Sequence, residues 1–102
     1  MALEAPVLDP VSDTEEDTRL APRWKVLLVD DDVTTIEFVI ELLIGIFHKQ
    51  QQEAVRLTHE VHRSGSALVT VTSLERAELY VDQVRSLARP RGYPLQARME
   101  PA

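Results

Sequence analysis

The 102-residue chain contains no cysteine. This absence excludes a disulfide framework, a thiolate zinc site and a cysteine nucleophile. Aromatic residues make up only 5% of the chain, so we expect a core built mainly from Val, Leu, Ile and Ala. The length suffices for one domain and is too short for two independent cores.

The chain also lacks an excess of basic residues and a long hydrophobic run. Its formal net charge is −6, which argues against generic nucleic-acid binding. The longest apolar candidate, residues 36–47, is interrupted by Glu37 and Glu41, so no segment reaches the roughly 18 apolar residues of a membrane helix. The N-terminus lacks the pattern of a secretory signal. We therefore expect a cytoplasmic protein with no membrane segment.

The negative charge is concentrated at the N-terminus. Residues 1–22 carry six acids, one base and three of the six prolines, whereas residues 23–102 carry eleven acids and ten bases. A segment of this composition buries too little apolar surface to offset its ordering entropy. We predict a flexible acidic arm over 1–22 and a folded core over 23–102. A solubilising tail without a partner is the alternative interpretation of the arm.

Three segments of the core are predicted to be strands. Residues 24–29 and 67–72 are short, apolar and rich in β-branched side chains. Near the end of the chain, residues 93–99 alternate apolar and polar side chains, which predicts a half-buried strand.

Three amphipathic segments are predicted to be helices. The first begins with a capping box, Thr34 at the N-cap and Glu37 at N3, and extends to His48 and Lys49. Its predicted apolar stripe comprises Ile36, Val39, Ile40, Leu43, Ile44 and Phe47.

The second predicted helix spans about residues 51–62 and is stopped by Gly65. Its predicted inner face is Ala54, Leu57, Thr58 and Val61. The third is capped by Ser73 and ended by Pro90 and Gly92. Its predicted inner face is Leu74, Ala77, Val81, Val84 and Leu87.

The predicted element order is β-α-α-β-α-β. Three strands cannot cover three amphipathic helices on two faces. We therefore predict an α+β fold in which a small three-stranded antiparallel sheet packs on three helices.

Three consecutive acids, Asp30, Asp31 and Asp32, follow the first strand. They resemble the acidic turn of a receiver domain, so a Mg²⁺-dependent phosphoacceptor is an alternative function. That chemistry also needs an Asp after a second strand and a late Lys, but the only lysines are Lys25 and Lys49. One Asp could cap the following helix. Three in succession repel one another, and a bound ammonium would offset that repulsion.

Several ordered motifs resemble the ClpS family, adaptors that deliver N-degron substrates to Clp ATPase–protease complexes. The opening motif spans residues 25–32 (KVLLVDDD) and 34–39 (TTIEFV). The later motif positions are Ala54, Leu57, Val61, His62, Gly65, Ala77, Glu78, Pro94 and Leu95. The resemblance runs from about Trp24 to Glu100, and an acidic arm is also typical of the family.

The resemblance implies a non-enzymatic adaptor without cofactor or metal. By position, Asp30, Asp31 and His62 would hold the free α-amino group of a protein whose first residue is Leu, Phe, Tyr or Trp. The side-chain pocket would comprise Leu28, Thr34, Ile36, Val39, Thr58, Val61 and Leu95. The partner would be a ClpA- or ClpC-type ATPase, and the adaptor is expected to be a monomer.

The chain departs from the family pattern at four positions. Asp30 stands where the family has Asn, and Ile36 and Thr58 replace pocket methionines. The ATPase-docking face would include Glu75 and Glu78, but Tyr80 replaces a family Lys beside them. Taken singly, a residue such as His62 is more often a cap or surface residue, and Ile36, Val39 and Val61 are more often plain core. The joint pattern favours an ammonium site, because carboxylates and a neutral imidazole are hydrogen-bond acceptors.

Overall fold

The computed structural model describes residues 22–102, so the predicted arm lies outside the described residues apart from Pro22. The described chain forms three strands, three α-helices and one 3₁₀ turn in the order β-α-α-β-α-β, which confirms the predicted fold class. The elements are β1 (Trp24–Val29), α1 (Ile36–Gly45), α2 (Gln51–Ser64), β2 (Ser66–Thr72), α3 (Leu74–Ala88), the 3₁₀ turn (Arg89–Arg91) and β3 (Gln96–Pro101).

The sheet has β1 at its centre, with β2 and β3 antiparallel on either side. Leu28 of β1 pairs with Ala67 of β2 and Ala97 of β3. Between Val26 and Leu27 the register with β2 shifts by one residue. Val26 and Leu28 are fully buried in the core shared with the helices, as expected for a central apolar strand.

Both ends of the described core meet at one end of the sheet. Trp24 pairs with Pro101, and the Ala102 amide donates a 2.9 Å hydrogen bond to the Arg23 carbonyl. No described helix is long and apolar enough to span a membrane.

Helix α1 begins one residue later than the capping-box prediction. Thr35 is the N-cap, and its Oγ1 accepts a 3.2 Å hydrogen bond from the Phe38 amide. The Thr34 hydroxyl donates instead to Asp31 Oδ2 at 2.7 Å. Thr34 is therefore part of the preceding turn, and Glu37 falls at the second helical position rather than at N3.

The buried face of α1 is rotated from the predicted stripe. Phe38, Val39, Leu42 and Leu43 are buried, whereas Ile36 and Ile44 are about two-fifths exposed. The Phe38 ring centroid lies 4.9 Å from that of Tyr93. Tyr93 is distant in sequence, so helical periodicity alone could not reveal the contact that orients Phe38 inward.

Helix α1 also ends at Gly45, earlier than predicted. The chain then turns through His48, which has a left-handed φ of 57°, before α2 begins. Phe47 remains buried in this connection, with its ring centroid 4.5 Å from that of Tyr80 on α3.

Helix α2 buries its predicted inner face and runs two residues further, to Ser64. Gly65 ends it with φ 90°, and the Gly65 amide donates to the Val61 carbonyl. This left-handed stop is as predicted, because glycine adopts positive φ without the penalty that a Cβ imposes.

Helix α3 begins at the predicted cap, where Ser73 Oγ accepts a hydrogen bond from the Arg76 amide. Ala77 and Val84 are buried as predicted, but Leu74 and Leu87, at the ends of the predicted stripe, are exposed. Strand β3 begins at Gln96, three residues later than predicted.

Candidate functional site

A backbone hydrogen bond joins the end of β1 to the end of α2. The Asp30 amide donates to the Gly65 carbonyl at 2.9 Å. His62 lies in the last turn of α2, and its Nδ1 is 3.7 Å from Asp30 Oδ1. Two of the three predicted amine-binding residues therefore lie side by side. The His62 side chain is 68% exposed and that of Asp30 is 32% exposed, so a ligand can reach both.

The 3.7 Å separation is too long for a direct hydrogen bond between Asp30 and His62. It is short enough for one nitrogen of a third group to lie within hydrogen-bonding distance of both atoms. An ammonium supplies three N–H donors, and a carboxylate and a neutral imidazole nitrogen are both acceptors. The pair is therefore suited to a primary ammonium group.

Asp31, the third predicted amine ligand, organises the turn between β1 and α1. Its Oδ1 accepts hydrogen bonds from the amides of Val33 (2.8 Å) and Thr34 (2.7 Å). Its Oδ2 accepts the Thr34 hydroxyl at 2.7 Å. A carboxylate offers about four lone-pair sites, so three bonds leave capacity for one more donor.

The same contacts keep Asp31 ionised. Burial raises the pKa of Asp31, but the hydrogen bonds from Thr34 and Val33, with the positive charge of Arg89, outweigh it and lower the pKa below its usual value. Asp31 therefore contributes negative charge beside the Asp30–His62 pair as well as fixing the turn.

The seven predicted pocket residues divide into a buried layer and a rim. Five of them are nearly inaccessible to solvent: Leu28, Val39, Thr58, Val61 and Leu95. Thr34 is half-buried and Ile36 is 41% exposed, so these two lie at the surface end of the set. The five buried residues therefore belong to the interior, and Thr34 and Ile36 are the members of the set that solvent reaches.

Thr58 is buried without an unsatisfied hydroxyl. Its Oγ1 donates a 2.7 Å hydrogen bond to the Ala54 carbonyl one turn earlier in α2. The hydroxyl is thereby occupied within the helix. The γ-methyl is the part of Thr58 left to contact an apolar neighbour.

The predicted ATPase-docking residues do not all lie on one surface. Glu75 and Glu78 are exposed on α3. Tyr80 is half-buried and packs on the core, with its ring against Phe47. Two residues apart on a helix, Glu78 and Tyr80 project about 160° apart. The structure therefore separates Tyr80 from the two glutamates.

Arg89 is a residue that sequence reasoning missed. Its Nη1 donates to the carbonyls of Tyr93 and Leu95, both at 2.9 Å. These bonds hold the segment that places Leu95 in the buried layer, and the Arg89 charge also acts on Asp31. An arginine near the end of a helix gives no sequence signal for two carbonyl partners beyond it.

The three consecutive aspartates do not form a common ligand set. Asp30 lies beside His62, the carboxylate of Asp31 is bonded within its own turn, and Asp32 is exposed. Within residues 22–102, no three His, Cys, Asp or Glu side chains are grouped so that they could hold a metal ion.

Comparison with known proteins shows a match to the family described as "ATP-dependent Clp protease adaptor protein ClpS" over residues 19–98. A ClpS adapter protein from Nautilia profundicola is 48% identical over 77 residues, covering 76% of this chain and 79% of the relative. One from Acetivibrio thermocellus is 39% identical over 89 residues, covering 87% and 90%.

A solved structure gives a similar result. Agrobacterium tumefaciens ClpS2, bound to L-phenylalaninamide, superposes with a TM-score of 0.77 at 33% identity, covering 79% of this chain and 98% of that one. The family match spans most of the sequence, and the relatives and the solved structure agree with it. The chain therefore belongs to the ClpS family of Clp protease adaptors.

Proposed function

We propose that this adaptor binds proteins through a free α-amino group on a bulky hydrophobic first residue and delivers them to a Clp ATPase–protease. The observation that carries the proposal is the Asp30–His62 pair, with its acceptor atoms 3.7 Å apart. An ammonium suits the pair, and the proposed pocket residues would receive the apolar side chain of the same terminal residue.

The ligand of the related ClpS2 structure, L-phenylalaninamide, has both features. It carries a free α-amine and an aromatic side chain on the same carbon. Charge-assisted hydrogen bonds are the stronger class, and burying a Phe or Leu side chain is worth roughly 1.5–3 kcal/mol. Neither contribution alone gives tight binding, so a site that needs both would select an unblocked hydrophobic N-terminus.

The proposed ranking of first residues is aromatic, then Leu, then Ile and Val. Thr58 is smaller than the Met it replaces in the family pattern, so the pocket is expected to be wider on that side. Leu would forgo contacts there, whereas Phe, Tyr and Trp extend further. Ile36 is β-branched and stiff at χ1, and it is expected to crowd first residues that branch at Cβ.

Delivery is proposed to use two further regions. Glu75 and Glu78 are both exposed on α3 and would contact a ClpA- or ClpC-type ATPase. The acidic arm, residues 1–22, would engage the unfolding machine. A monomeric, cytoplasmic adaptor without catalytic residues remains our prediction. Of the three predicted docking residues, Tyr80 has the least support, because its ring packs on Phe47.

The test compares two peptides that differ only at the N-terminus. We expect a Phe-first peptide with a free amine to bind and its N-acetylated form to bind at least tenfold more weakly, because acetylation removes the ammonium. Fluorescence anisotropy of a C-terminally labelled peptide measures both affinities. A peptide with Asp as first residue and a free amine is the matched control for the side chain. Equal affinity for the free and acetylated Phe peptides would overturn the proposed amine site.

A further inference from the structure

A concave surface lies between α3 and β3, away from the residues that carry the proposed amine site apart from Leu95. The groove between α3 and β3 encloses about 270 Å³. We define it by its seven lining residues, Val81, Arg85, Arg89, Leu95, Gln96, Ala97 and Arg98. It shares only Leu95 with the predicted pocket. Three of its lining residues are arginines, and three are apolar.

The groove lies in the most basic part of the described chain. Between Gln83 and Met99 there are four arginines and no acid, whereas residues 22–102 as a whole carry eleven acids and ten bases. The nearest acids along the chain are Asp82 and Glu100. Positive charge is therefore concentrated where α3 and β3 meet.

Protein groups neutralise part of this charge. Arg98 forms an ion pair with Glu100 at 3.1 Å, and Arg89, whose charge also acts on Asp31, donates through Nη1 to two uncharged backbone carbonyls. Arg85 has no ion-pair partner within residues 22–102. All three side chains are exposed. Three guanidinium groups around one groove repel one another, so an anion placed among them would relieve that repulsion and receive several N–H donors.

We propose that the occupant is the chain's own acidic arm, docked through the run of acids at residues 13–17. Asp13, Glu15, Glu16 and Asp17 place four carboxylates in five residues, and residues 1–22 as a whole carry −5. The charges of the arm and the groove are opposite in sign. Carboxylates and guanidinium groups also match in geometry, since the planar fork accommodates both carboxylate oxygens.

The covalent chain is long enough for this contact. Five residues separate Asp17 from Arg23, and an extended chain spans at most about 3.3–3.6 Å per residue, or roughly 18 Å. Arg98 pairs with Leu27 in the sheet, three residues along β1 from Trp24, which is about 10 Å. The acidic run can thus reach the groove without displacing any described element.

The proposal concerns the free adaptor and is independent of peptide binding. It has one consequence that rests on the proposed docking face. Arg85 lies seven residues after Glu78 on α3, which places the two on nearly the same side of the helix. An arm in the groove would lie next to Glu78. The arm would therefore have to leave the groove before or while an ATPase binds the surface around Glu78.

The experiment uses the full chain with a nitroxide label on its arm. Ser12→Cys introduces the only cysteine, so the label attaches at one position beside Asp13. We expect amide NMR signals of residues 85–89 and 96–98 to lose intensity at about 0.01 M salt and to recover at about 1 M, where charges are screened within a few ångströms. The double variant Arg85→Gln/Arg98→Gln should abolish the loss.

Matched controls distinguish contact of the arm with the groove from a general attraction of the acidic arm to exposed arginines. The double variant Arg63→Gln/Arg76→Gln removes two exposed arginines outside the groove and should leave the signal loss unchanged. Neutralising the four acids of residues 13–17 to Asn and Gln should abolish it.

Three outcomes would overturn the proposal. The first is the absence of a localised signal loss, and the second is an equal loss in both arginine variants. The third is a loss of amide signal intensity in ¹⁵N protein that carries no nitroxide, when it is mixed with nitroxide-labelled ¹⁴N protein. Such a loss would assign the contact to the arm of a second copy.

Discussion

The proposed amine site and the groove are both charged surfaces, but they are built in different ways. At the amine site, backbone hydrogen bonds fix the charges: the Asp30 amide is tied to Gly65, and Asp31 accepts two amides. In the groove, the charges sit at the ends of long exposed side chains, and only Arg89 is tied to the backbone.

This difference predicts different responses to substitution. A site fixed by backbone geometry depends on each residue that sets the geometry. A surface formed by several exposed cations depends on their total charge. The remaining cations partly compensate for the loss of one, and salt weakens the attraction of all of them for an anion. The following predictions, from the largest expected effect to the smallest, test that contrast.

Asp31→Ala should have the largest effect, because it removes three hydrogen bonds to one carboxylate. We expect a loss of unfolding free energy of about 1.5–3 kcal/mol, the range for hydrogen bonds to charged groups, together with weaker binding of Phe-first peptides. Urea denaturation followed by circular dichroism measures the first effect. Asp32→Ala, at an exposed neighbour, is the matched control and should change stability little.

The Asp31 effect should also depend on pH. The pKa of Asp31 is lowered in the folded chain from a usual value near 3.8. Its ionisation therefore stabilises the fold fully above that value, and the contribution is lost as pH falls through the folded pKa. The stability difference between wild type and Asp31→Asn should shrink on acidification below about pH 4. A difference that grows on acidification would contradict this sign.

His62→Ala should weaken binding of a free-amine Phe peptide about tenfold or more, because the ammonium loses one acceptor. The fold should be unaffected, since the His62 side chain is mostly exposed. His59→Ala, at another exposed position on α2, is the control. Binding measured by anisotropy that is equal in the two variants would show that His62 takes no part.

Gly65→Ala should destabilise the chain by about 1–2 kcal/mol, the cost of a left-handed conformation for a residue with a Cβ. No neighbouring atom obstructs the added carbon, so the cost is one of backbone conformation alone. Gly45→Ala is the matched control. It lies at the end of α1 with equally open surroundings and should stabilise by about 0.5–1 kcal/mol. In thermal unfolding, Gly65→Ala is expected to lower the midpoint temperature relative to wild type and Gly45→Ala to raise it.

Thr58→Met should raise the affinity for Leu-first peptides relative to Phe-first peptides, by up to about tenfold if the wild-type pocket leaves a void around Leu. The ratio of the two affinities is the measurement, because it cancels any general effect on folding. Thr58→Val keeps the shape without the hydroxyl and serves as the control. A wild-type chain that prefers Leu-first peptides would contradict the widened pocket.

Arg98→Gln should have the smallest effect, within about 0.5 kcal/mol of wild-type stability. Its partner Glu100 forms an exposed ion pair, and such pairs contribute little. Thermal unfolding at low and high salt checks this. A loss comparable to that of Asp31→Ala would mean that the groove is built as rigidly as the amine site.

The sequence predicted α2 more accurately than α1, because the limits and buried face of α2 follow from neighbouring residues whereas those of α1 depend on contacts elsewhere in the chain. In α2, the inner face follows a regular spacing and Gly65 marks the end, so local rules suffice. In α1, the buried Phe38 contacts the distant Tyr93, and Asp31 accepts the hydroxyl of Thr34, so that Thr35 is the N-cap. Contacts between distant residues and competition for one hydroxyl are not visible in periodicity.

For the candidate site, the residue types predict an ammonium ligand, but they do not predict the separate contacts that each residue makes. Asp31 and Asp30 are adjacent in sequence, yet one holds a turn and the other lies beside His62. That division depends on the bond between Asp30 and Gly65, which joins positions 35 residues apart. Arg89 was missed for the same reason, since its partners are carbonyls rather than side chains.

The meeting of Arg23 and Ala102 at one end of the sheet has a practical consequence for reporter fusions. Asp30 of the Asp30–His62 pair lies just beyond the other end of β1, seven residues or about 23 Å from Arg23. A fluorescent protein joined after Ala102 would therefore stand away from the proposed peptide-binding end. The same proximity favours a circular permutant that links residues 102 and 23 by a short Gly/Ser linker and opens the chain at the His48 turn, giving an adaptor whose core carries no arm at all.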